Sequence, residues 1–311
     1  SVSYGDGVYK STDGGKTWAN VGLRNTYQIG QLVIHPTNPD VVYVGAMGRC
    51  WGKNEDRGLY KTADGGKTWN KVLYVDDATG VIDVVMNPAN PDALLVATWE
   101  RQRDAFDGND PEKKWGAGSG LHKTTDGGAT FRRITTGLPT SNLGCIGLDY
   151  YRKDPNIVYA VVDCEKIGSA SPDEPYFGDV AKVQASRERE AVEIAVTIGK
   201  RPESDQKPYT AYLGGQRENI QDEQGAQGHE FGGVYRSEDG GETWARVNSL
   251  NPRPMYFSVI RVNPSDDKVI YILGVQVHRS NDAGKTFTND AGRGVHADHH
   301  MIVQHPQYNG T

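Results

Sequence analysis

Cysteine is scarce in this chain: Cys50, Cys145 and Cys164 are the only three among 311 residues. Three cysteines are too few for a disulfide scaffold, and no pair has the spacing of a metal-binding motif. Because free cysteine is usually buried, we expect three small buried side chains. A Cys145–Cys164 bridge is the alternative, since both residues fall in the same repeat described below.

Long apolar runs and clusters of basic residues are also absent. No stretch of 18 apolar residues occurs, so the sequence predicts no transmembrane segment. The formal net charge is −6 and there is no long basic run. A nucleic-acid groove needs clustered positive charge, so we expect no nucleic-acid partner. The sequence contains no signal-peptide pattern and its first residues read like the middle of a repeat, so we expect a fragment of a longer protein.

What the chain does have is glycine, 38 residues of it, and a repeated motif. Five segments match the pattern Ser/Thr-x-Asp-x-Gly-x-Thr-Trp/Phe. One match would be weak evidence, but five in register indicate a repeat architecture. The segments are Ser11–Trp18, Thr62–Trp69, Thr124–Phe131, Ser237–Trp244 and Ser280–Phe287.

Each motif predicts a β-hairpin. An alternating strand such as Gly7-Val8-Tyr9-Lys10 precedes it, and the aspartate turns the chain by accepting backbone N–H bonds. The glycine supplies a positive φ at low cost, and the aromatic residue begins the returning strand. We therefore interpret the five motif aspartates as structural: Asp13, Asp64, Asp126, Asp239 and Asp282.

A second repeated element lies between the motifs. It is an apolar strand, a turn containing proline, and another apolar strand, as in Gln31–Pro36 followed by Val41–Val44. Proline ends the first strand because it cannot continue the hydrogen-bond ladder. The two elements together give four strands, which is one propeller blade. The predicted fold is all-β, a partial β-propeller of about five four-stranded blades with a small β-rich insertion.

The wide gap between the third and fourth motifs predicts the insertion. We assign residues 1–164 and 232–311 to the propeller and 165–231 to the insertion. Asp179–Pro202 resembles the last strands of a PDZ domain, without the glycine-rich carboxylate-binding loop that such a domain needs. We therefore expect a degenerate or incomplete PDZ-like module plus a loop. Both ends cut through a blade: either they pair to close a ring or the protein continues, and continuation is favoured.

These motifs make the chain resemble the Asp-box (BNR) repeat propellers, in particular large secreted bacterial proteins that are glycosyl-hydrolase-like or sortilin VPS10-like. The resemblance covers nearly the whole chain except the insertion. It implies a location outside the cytoplasm, which is periplasmic, secreted or at the cell surface. It does not imply one activity, because fold gives function only by analogy. The Arg-Ile-Pro motif of the sialidase branch is absent.

Candidate site residues fall in the long loops between second and third strands, on the face opposite the Asp boxes. Long loops on a rigid scaffold often carry binding sites. Three tryptophans could stack on sugar rings or could cover blade edges. The candidate ligand-binding residues in these loops are Arg49, Trp51, Trp99, Arg101, Arg103 and Trp115.

The densest polar cluster is Val295–Met301, which we expect to form the innermost strand of the last blade. Alternation would then place His296, Asp298 and His300 on one face, with the two histidines about 13 Å apart. One divalent ion could bind Asp298 with one histidine, given a third ligand. A binding or catalytic cluster and a hydrogen-bonded network are the alternatives; no other cofactor is expected. Arg253 and Tyr256 are expected to face the same channel.

Three functions remain open at this point. The first is a binding module for a carbohydrate or protein ligand on the long-loop face. The second is a glycoside hydrolase, which needs two carboxylates flanking the bond; Asp298, Glu100 and Asp163 are its candidates, with Glu165 beside them. The third is a structural subunit of a larger assembly.

Overall fold

A computed structural model describes residues 4–103, 111–166, 230–252, 254–288 and 291–303. The described chain consists of five antiparallel sheets that follow one another along the sequence. This is a partial β-propeller, as the sequence predicts. The insertion predicted at 165–231, with its PDZ-like segment, lies almost entirely outside the described residues.

The strands of each blade are hydrogen-bonded in sequence order, so every blade is a meander. Blade 1 contributes β1 and β2, and a single turn of 3₁₀ helix, Arg24–Thr26, follows it. Blades 2, 3 and 4 have four strands each, and blade 5 has three. The strands are β1 (Tyr9–Lys10), β2 (Ala19–Asn20), β3 (Ile29–Ile34), β4 (Val42–Ala46), β5 (Gly58–Thr62), β6 (Asn70–Leu73), β7 (Thr79–Met86), β8 (Leu94–Glu100), β9 (Gly120–Thr124), β10 (Arg132–Ile134), β11 (Leu143–Tyr150), β12 (Val158–Cys164), β13 (Gly233–Ser237), β14 (Ala245–Asn248), β15 (Val259–Asn263), β16 (Asp266–Leu273) and β17 (Val277–Ser280).

The Asp boxes form the turns after β1, β5, β9, β13 and β17, and their bonds are local. In the second box, Asp64 Oδ1 accepts the Thr68 N–H at 2.9 Å, and Oδ2 accepts the Thr68 hydroxyl at 2.7 Å. Thr62 Oγ1 accepts the Gly66 N–H at 2.9 Å. The Thr68 bonds are the main reason that the pKa of Asp64 is well below its usual value. Bonds within five residues close each turn, so the motif carries its own structure.

The core consists of layers between neighbouring sheets. The second strands of blades 3 and 4, β8 and β12, are buried along their whole length. Strands buried on both faces are continuous apolar runs instead of alternating ones. All three cysteines are buried free thiols, so the Cys145–Cys164 bridge is not formed.

The first strands of successive blades approach closely where a glycine faces the neighbouring backbone. A Cβ on Gly30 of β3 would lie 2.5 Å from the Ile82 carbonyl oxygen of β7. A Cβ on Gly147 of β11 would lie 1.9 Å from the Ser258 carbonyl oxygen, just before β15. Real side chains cannot occupy such space, so these glycines bring the inner strands together around the centre.

Candidate functional site

A cavity of about 530 Å³ lies where the inner strands β3, β7, β11 and β15 converge. The ends of the loops that connect second and third strands border it. The sequence places candidate site residues in these same loops. The lining residues include Gln31, Asp83, Cys145 and Arg261 of the inner strands, and Cys50, Trp99, Arg101, Arg103, Tyr256 and His300 around them.

Positive charge dominates this cavity. Arg101, Arg103 and Arg261 line it, and Asp83 is the one acidic side chain among its described lining residues. Asp83 is half-buried, and desolvation of its carboxyl raises its pKa. Its Oδ2 accepts the Leu148 N–H at 2.9 Å, and Oδ1 accepts the Val84 N–H at 2.9 Å. A single carboxyl can offset at most one of the three guanidinium charges, so the described lining keeps a net positive charge.

Aromatic rings support two of these arginines. The Arg101 guanidinium lies 4.6 Å from the centre of the Trp99 ring, and that of Arg103 lies 5.7 Å from the centre of Trp51. The backbone N–H of Arg103 donates to the Cys50 carbonyl at 2.9 Å. This bond joins the loop of blade 2 to the segment that follows β8 in blade 3. Cation–π packing of this kind restricts where the guanidinium groups point.

Arg57 is a residue that the sequence analysis missed. It is fully buried, and its guanidinium donates to the carbonyls of Arg49 at 3.1 Å and Gly52 at 3.2 Å, both in its own loop. It also donates to those of Ala78 at 2.6 Å and Arg101 at 3.0 Å in blade 3. Burial lowers its pKa. No sequence motif marks this residue, because its four acceptors are backbone atoms of two different blades.

Part of the cavity wall is apolar and rich in sulfur. Met47, Trp99, Cys145 and Met255 pack together there, with Tyr256 against them. Trp99 is only 2% exposed, and its indole N–H donates to the Lys114 carbonyl at 2.8 Å. Trp99 is therefore packed into the wall of the cavity that it lines.

The carboxylates nominated as catalytic are held apart from the cavity. Glu100 forms an ion pair with Lys113 and accepts the Gly118 N–H at 3.0 Å. Asp163 is 1% exposed and accepts the indole N–H of Trp115 at 2.8 Å. Glu165 accepts from the Asn142 side chain at 2.9 Å. None of these residues, nor Asp298, lines the cavity.

The segment Val295–Met301 does not form the predicted strand, and this expectation was wrong. The described part consists of turns and irregular chain, tied to blade 5 by the N–H of Asp298 to Val275 O at 3.3 Å and that of His299 to Gly274 O at 2.9 Å. Without a ladder partner among the described residues, strict alternation is lost, and Asp298 adopts a φ of 85°.

His296 and His300 therefore contact different groups and do not share one strand face as predicted. The His300 ring stacks on Phe257 with centres 4.9 Å apart, and its Nε2 lies 3.5 Å from Asp298 Oδ1. His296 Nδ1 instead lies 2.7 Å from the Ala297 carbonyl oxygen. Among the residues that the structure describes, no three His, Cys, Asp or Glu side chains are placed to hold a metal ion.

Of the remaining candidates, Tyr256 and Arg103 line the cavity, Trp51 lies at its rim beside Arg103, and Arg49 is exposed. Arg253 lies outside the described residues. No described helix has the length and apolar character needed to cross a membrane.

Comparison with solved structures supports the fold. An ancestral GH74 enzyme superposes with a TM-score of 0.56 at 16% identity, covering 95% of this chain and 30% of its own. A GH74 enzyme of Niastella koreensis gives 0.53 at 17% identity, covering 89% and 33%. The GH74 xyloglucanase of Xanthomonas campestris gives 0.50 at 14% identity, covering 90% and 34%. The chain thus spans about a third of each neighbour, and at these identities the likeness concerns the fold alone.

A search of curated proteins finds no match. A family model does match: Sortilin-Vps10, described as sortilin, neurotensin receptor 3, covers residues 6–167. That segment contains the first three Asp boxes, the buried Arg57 clamp and both arginines that pack on tryptophan. It is just over half of the chain, and this protein therefore belongs to the Sortilin-Vps10 family.

Proposed function

We propose that this chain forms part of an extracytoplasmic ligand-binding propeller, and that the ligand brings a carboxylate into the central cavity. The observation that carries the proposal is the convergence of Arg101, Arg103 and Arg261 on one cavity whose single described carboxyl, Asp83, has a raised pKa. Guanidinium groups recognise carboxylates with two parallel hydrogen bonds, and the partly enclosed setting strengthens that attraction.

The apolar wall defines the rest of the ligand. Met47, Met255 and Tyr256 face the space that the arginines border. Methionine side chains adapt to irregular apolar surfaces, so this wall suits an aliphatic or aromatic group. A ligand with an apolar group next to a carboxylate would contact both these apolar side chains and the arginines, and the end of a peptide chain has this chemistry.

Family membership supports a binding role outside the cytoplasm. The family is named for sortilin, a receptor by its description. The arrangement of the carboxylates also favours binding over hydrolysis. Glu100 and Asp163 are engaged by Lys113 and Trp115, and hydrolysis of a glycosidic bond needs two carboxyl groups at the same substrate.

The test is binding of fluorescein-labelled hexapeptide pools, one with free carboxyl termini and one amidated, measured by fluorescence anisotropy. We expect the free pool to bind more tightly. Because a charge-assisted bond to a carboxylate contributes about 1.5–3 kcal/mol, Arg103→Met should weaken binding about tenfold or more.

The control is Arg152→Met, in the exposed β11–β12 turn on the opposite face; it should bind like wild type. Equal binding of free and amidated pools, or affinity unchanged by Arg103→Met, would rule out this ligand chemistry. Release of reducing sugar from soluble polysaccharides, lost in Asp298→Asn, would instead establish the hydrolase.

A further inference from the structure

Sulfur-bearing side chains are concentrated at the central cavity. The whole sequence contains three cysteines and four methionines. Two of these cysteines and three of these methionines line the cavity, although its wall is a small part of the chain. An even distribution along the sequence would place few of them there, so the concentration is a feature of this site. The residues are Met47, Cys50, Cys145, Met255 and Met301.

Three of these side chains belong to one buried cluster in the cavity wall. Met47, Cys145 and Met255 are 2%, 4% and 7% exposed, and they pack together with Trp99. They come from three different blades, because Met47 follows β4, Cys145 is in β11 and Met255 precedes β15. Two thioethers and one thiol therefore meet at a place that no local sequence motif encodes.

A β-bulge places Cys145 at the cavity. The register of β11 against β12 shifts between Leu143 and Ile146, and Cys145 lies within this shift. The inner strands β3 and β7 also have register shifts, around Gly30 and Ile82, and both of these residues line the cavity. A bulge re-aims the side chain at the extra residue. Of the three bulges, only that of β11 presents a metal-ligating side chain.

Ser258 lies between the Cys145 thiol and the turn that carries Met255. Burial raises the pKa of the Cys145 thiol to about 12, and the neighbouring Ser258 hydroxyl opposes this shift. The same hydroxyl donates to the Pro254 carbonyl at 2.8 Å, which closes the turn. The position of the thiol relative to the methionine is therefore supported by a side chain next to both, as a preorganised site requires.

The charges around the cluster restrict which ion can bind. Arg101, Arg103 and Arg261 line the same cavity, so a divalent cation would add positive charge beside three guanidinium groups. A monovalent ion that displaces the thiol proton of Cys145 leaves the local charge unchanged, because that proton is released to solvent. Thiolate and thioether sulfur select soft ions, and Cu(I) is both soft and monovalent.

We propose that Met47, Cys145 and Met255 bind one Cu(I) ion in the wall of the cavity, through two thioethers and one thiolate. The Cys145 proton leaves as the bond between sulfur and copper forms, so the step needs no oxidant or reductant. This site uses sulfur donors, whereas the proposed carboxylate site uses guanidinium groups. The inference therefore does not rest on the proposed function, and metal binding measured with the protein alone tests it separately.

The test is anaerobic titration of the purified, reduced protein with Cu(I), in competition with the chelator bathocuproine disulfonate. We expect one tightly bound ion per chain, which Zn(II) does not displace. Removal of a group that merely supports a ligand weakens metal binding about 10–100-fold. Cys145→Ser removes a ligand itself, so it should weaken binding about a hundredfold or more.

The methionines are tested by variants that keep the cluster packed. Met47→Leu and Met255→Leu conserve side-chain volume, and each should weaken Cu(I) binding about tenfold. They also keep the proposal testable if Cys145→Ser does not fold, which circular dichroism without copper would show. The matched controls are Cys164→Ser and Met86→Leu, a thiol and a thioether that do not line the cavity; both should bind Cu(I) like wild type.

X-ray absorption at the copper edge identifies the donors. The wild-type protein should show a coordination shell of sulfur alone, and Met255→Leu should show one sulfur fewer. A protein that binds no Cu(I) against the chelator would overturn the proposal. So would affinity unchanged in the three cluster variants, equal weakening in Cys164→Ser, or a shell made of nitrogen and oxygen.

Discussion

Asp83 on the inner strand of blade 3 accepts the backbone N–H of Leu148 on the inner strand of blade 4, at 2.9 Å. The contact spans two sheets that share no ladder, and it occurs at the wall of the cavity. Asp149 makes the corresponding contact one blade further on, where it accepts the Val262 N–H at 2.8 Å. Side-chain carboxyls thus join the inner strands where backbone pairing cannot.

Removing the Asp83 carboxyl should destabilise the junction between blades 3 and 4. Asp83→Ala leaves the buried Leu148 N–H without an acceptor, so the free energy of unfolding should fall by about 2 kcal/mol. Asp83→Asn keeps one carbonyl oxygen and should lose less. Urea unfolding followed by tryptophan fluorescence measures both variants. Equal stability of the Ala variant and wild type would show that Leu148 finds another acceptor.

Replacing Arg57 should affect stability and ligand binding together. Arg57→Met removes the buried donor that four backbone carbonyls share, and we expect a loss of about 3 kcal/mol in the free energy of unfolding. Arg57→Lys should recover little, because an ammonium group cannot reproduce the planar fork of donors. Binding should weaken as well, since Arg57 fixes the carbonyl of Arg101.

The matched control for Arg57 is Arg133, an exposed arginine that donates to the carbonyls of Ala117 and Ser119. Arg133→Met should cost clearly less, because water can replace an exposed donor. Similar losses in the two variants would mean that burial of Arg57 has no special energetic role.

Burial of His122 should make stability depend on pH. Burial, with the nearby charge of Arg133, lowers the pKa of His122 from 6.5 to about 4. As the pH falls from about 6.5 to about 4, the unfolded chain binds a proton that the folded chain does not, so folding loses stability. In His122→Leu this loss should shrink by about 1–2 kcal/mol at pH 5.

Chemical unfolding at pH 7.5 and pH 5 separates this titration from packing effects. At pH 7.5 both states are neutral at residue 122, so any difference there comes from packing. If the gap between wild type and His122→Leu is the same at both pH values, the histidine does not titrate differently in the two states.

The Asp boxes should contribute unequally although their local bonds are alike. Asp13 accepts the Thr17 N–H at 2.9 Å, and Asp126 accepts the Thr130 N–H at 2.9 Å. The turn of Asp126 also presents Gly127 O to Tyr43 and Lys61 of the preceding blade. Asp126→Ala should therefore lower the unfolding temperature more than Asp13→Ala does. Equal shifts by calorimetry would mean that the local bonds alone matter.

The sequence predicted those parts of the structure whose interactions join residues close together along the chain. Each Asp box was predictable because its bonds join residues at most four positions apart, as between Asp64 and Thr68. The order of strands within a blade was predictable as well, because each Asp box closes one hairpin and each proline turn closes another. Val295–Met301 was mispredicted because an alternating pattern gives a strand only where a neighbouring strand supplies the ladder.

The sequence alone therefore determined the repeat, the blade and the partial propeller. Only the tertiary structure decided which of many polar loop residues share a cavity, which carboxylates are already engaged, and that Arg57 and Asp83 link different blades. Those contacts join residues of separate sheets through backbone carbonyls and N–H groups. Every residue type except proline has both groups, so the residue types in the sequence do not show which backbone groups accept or donate these bonds.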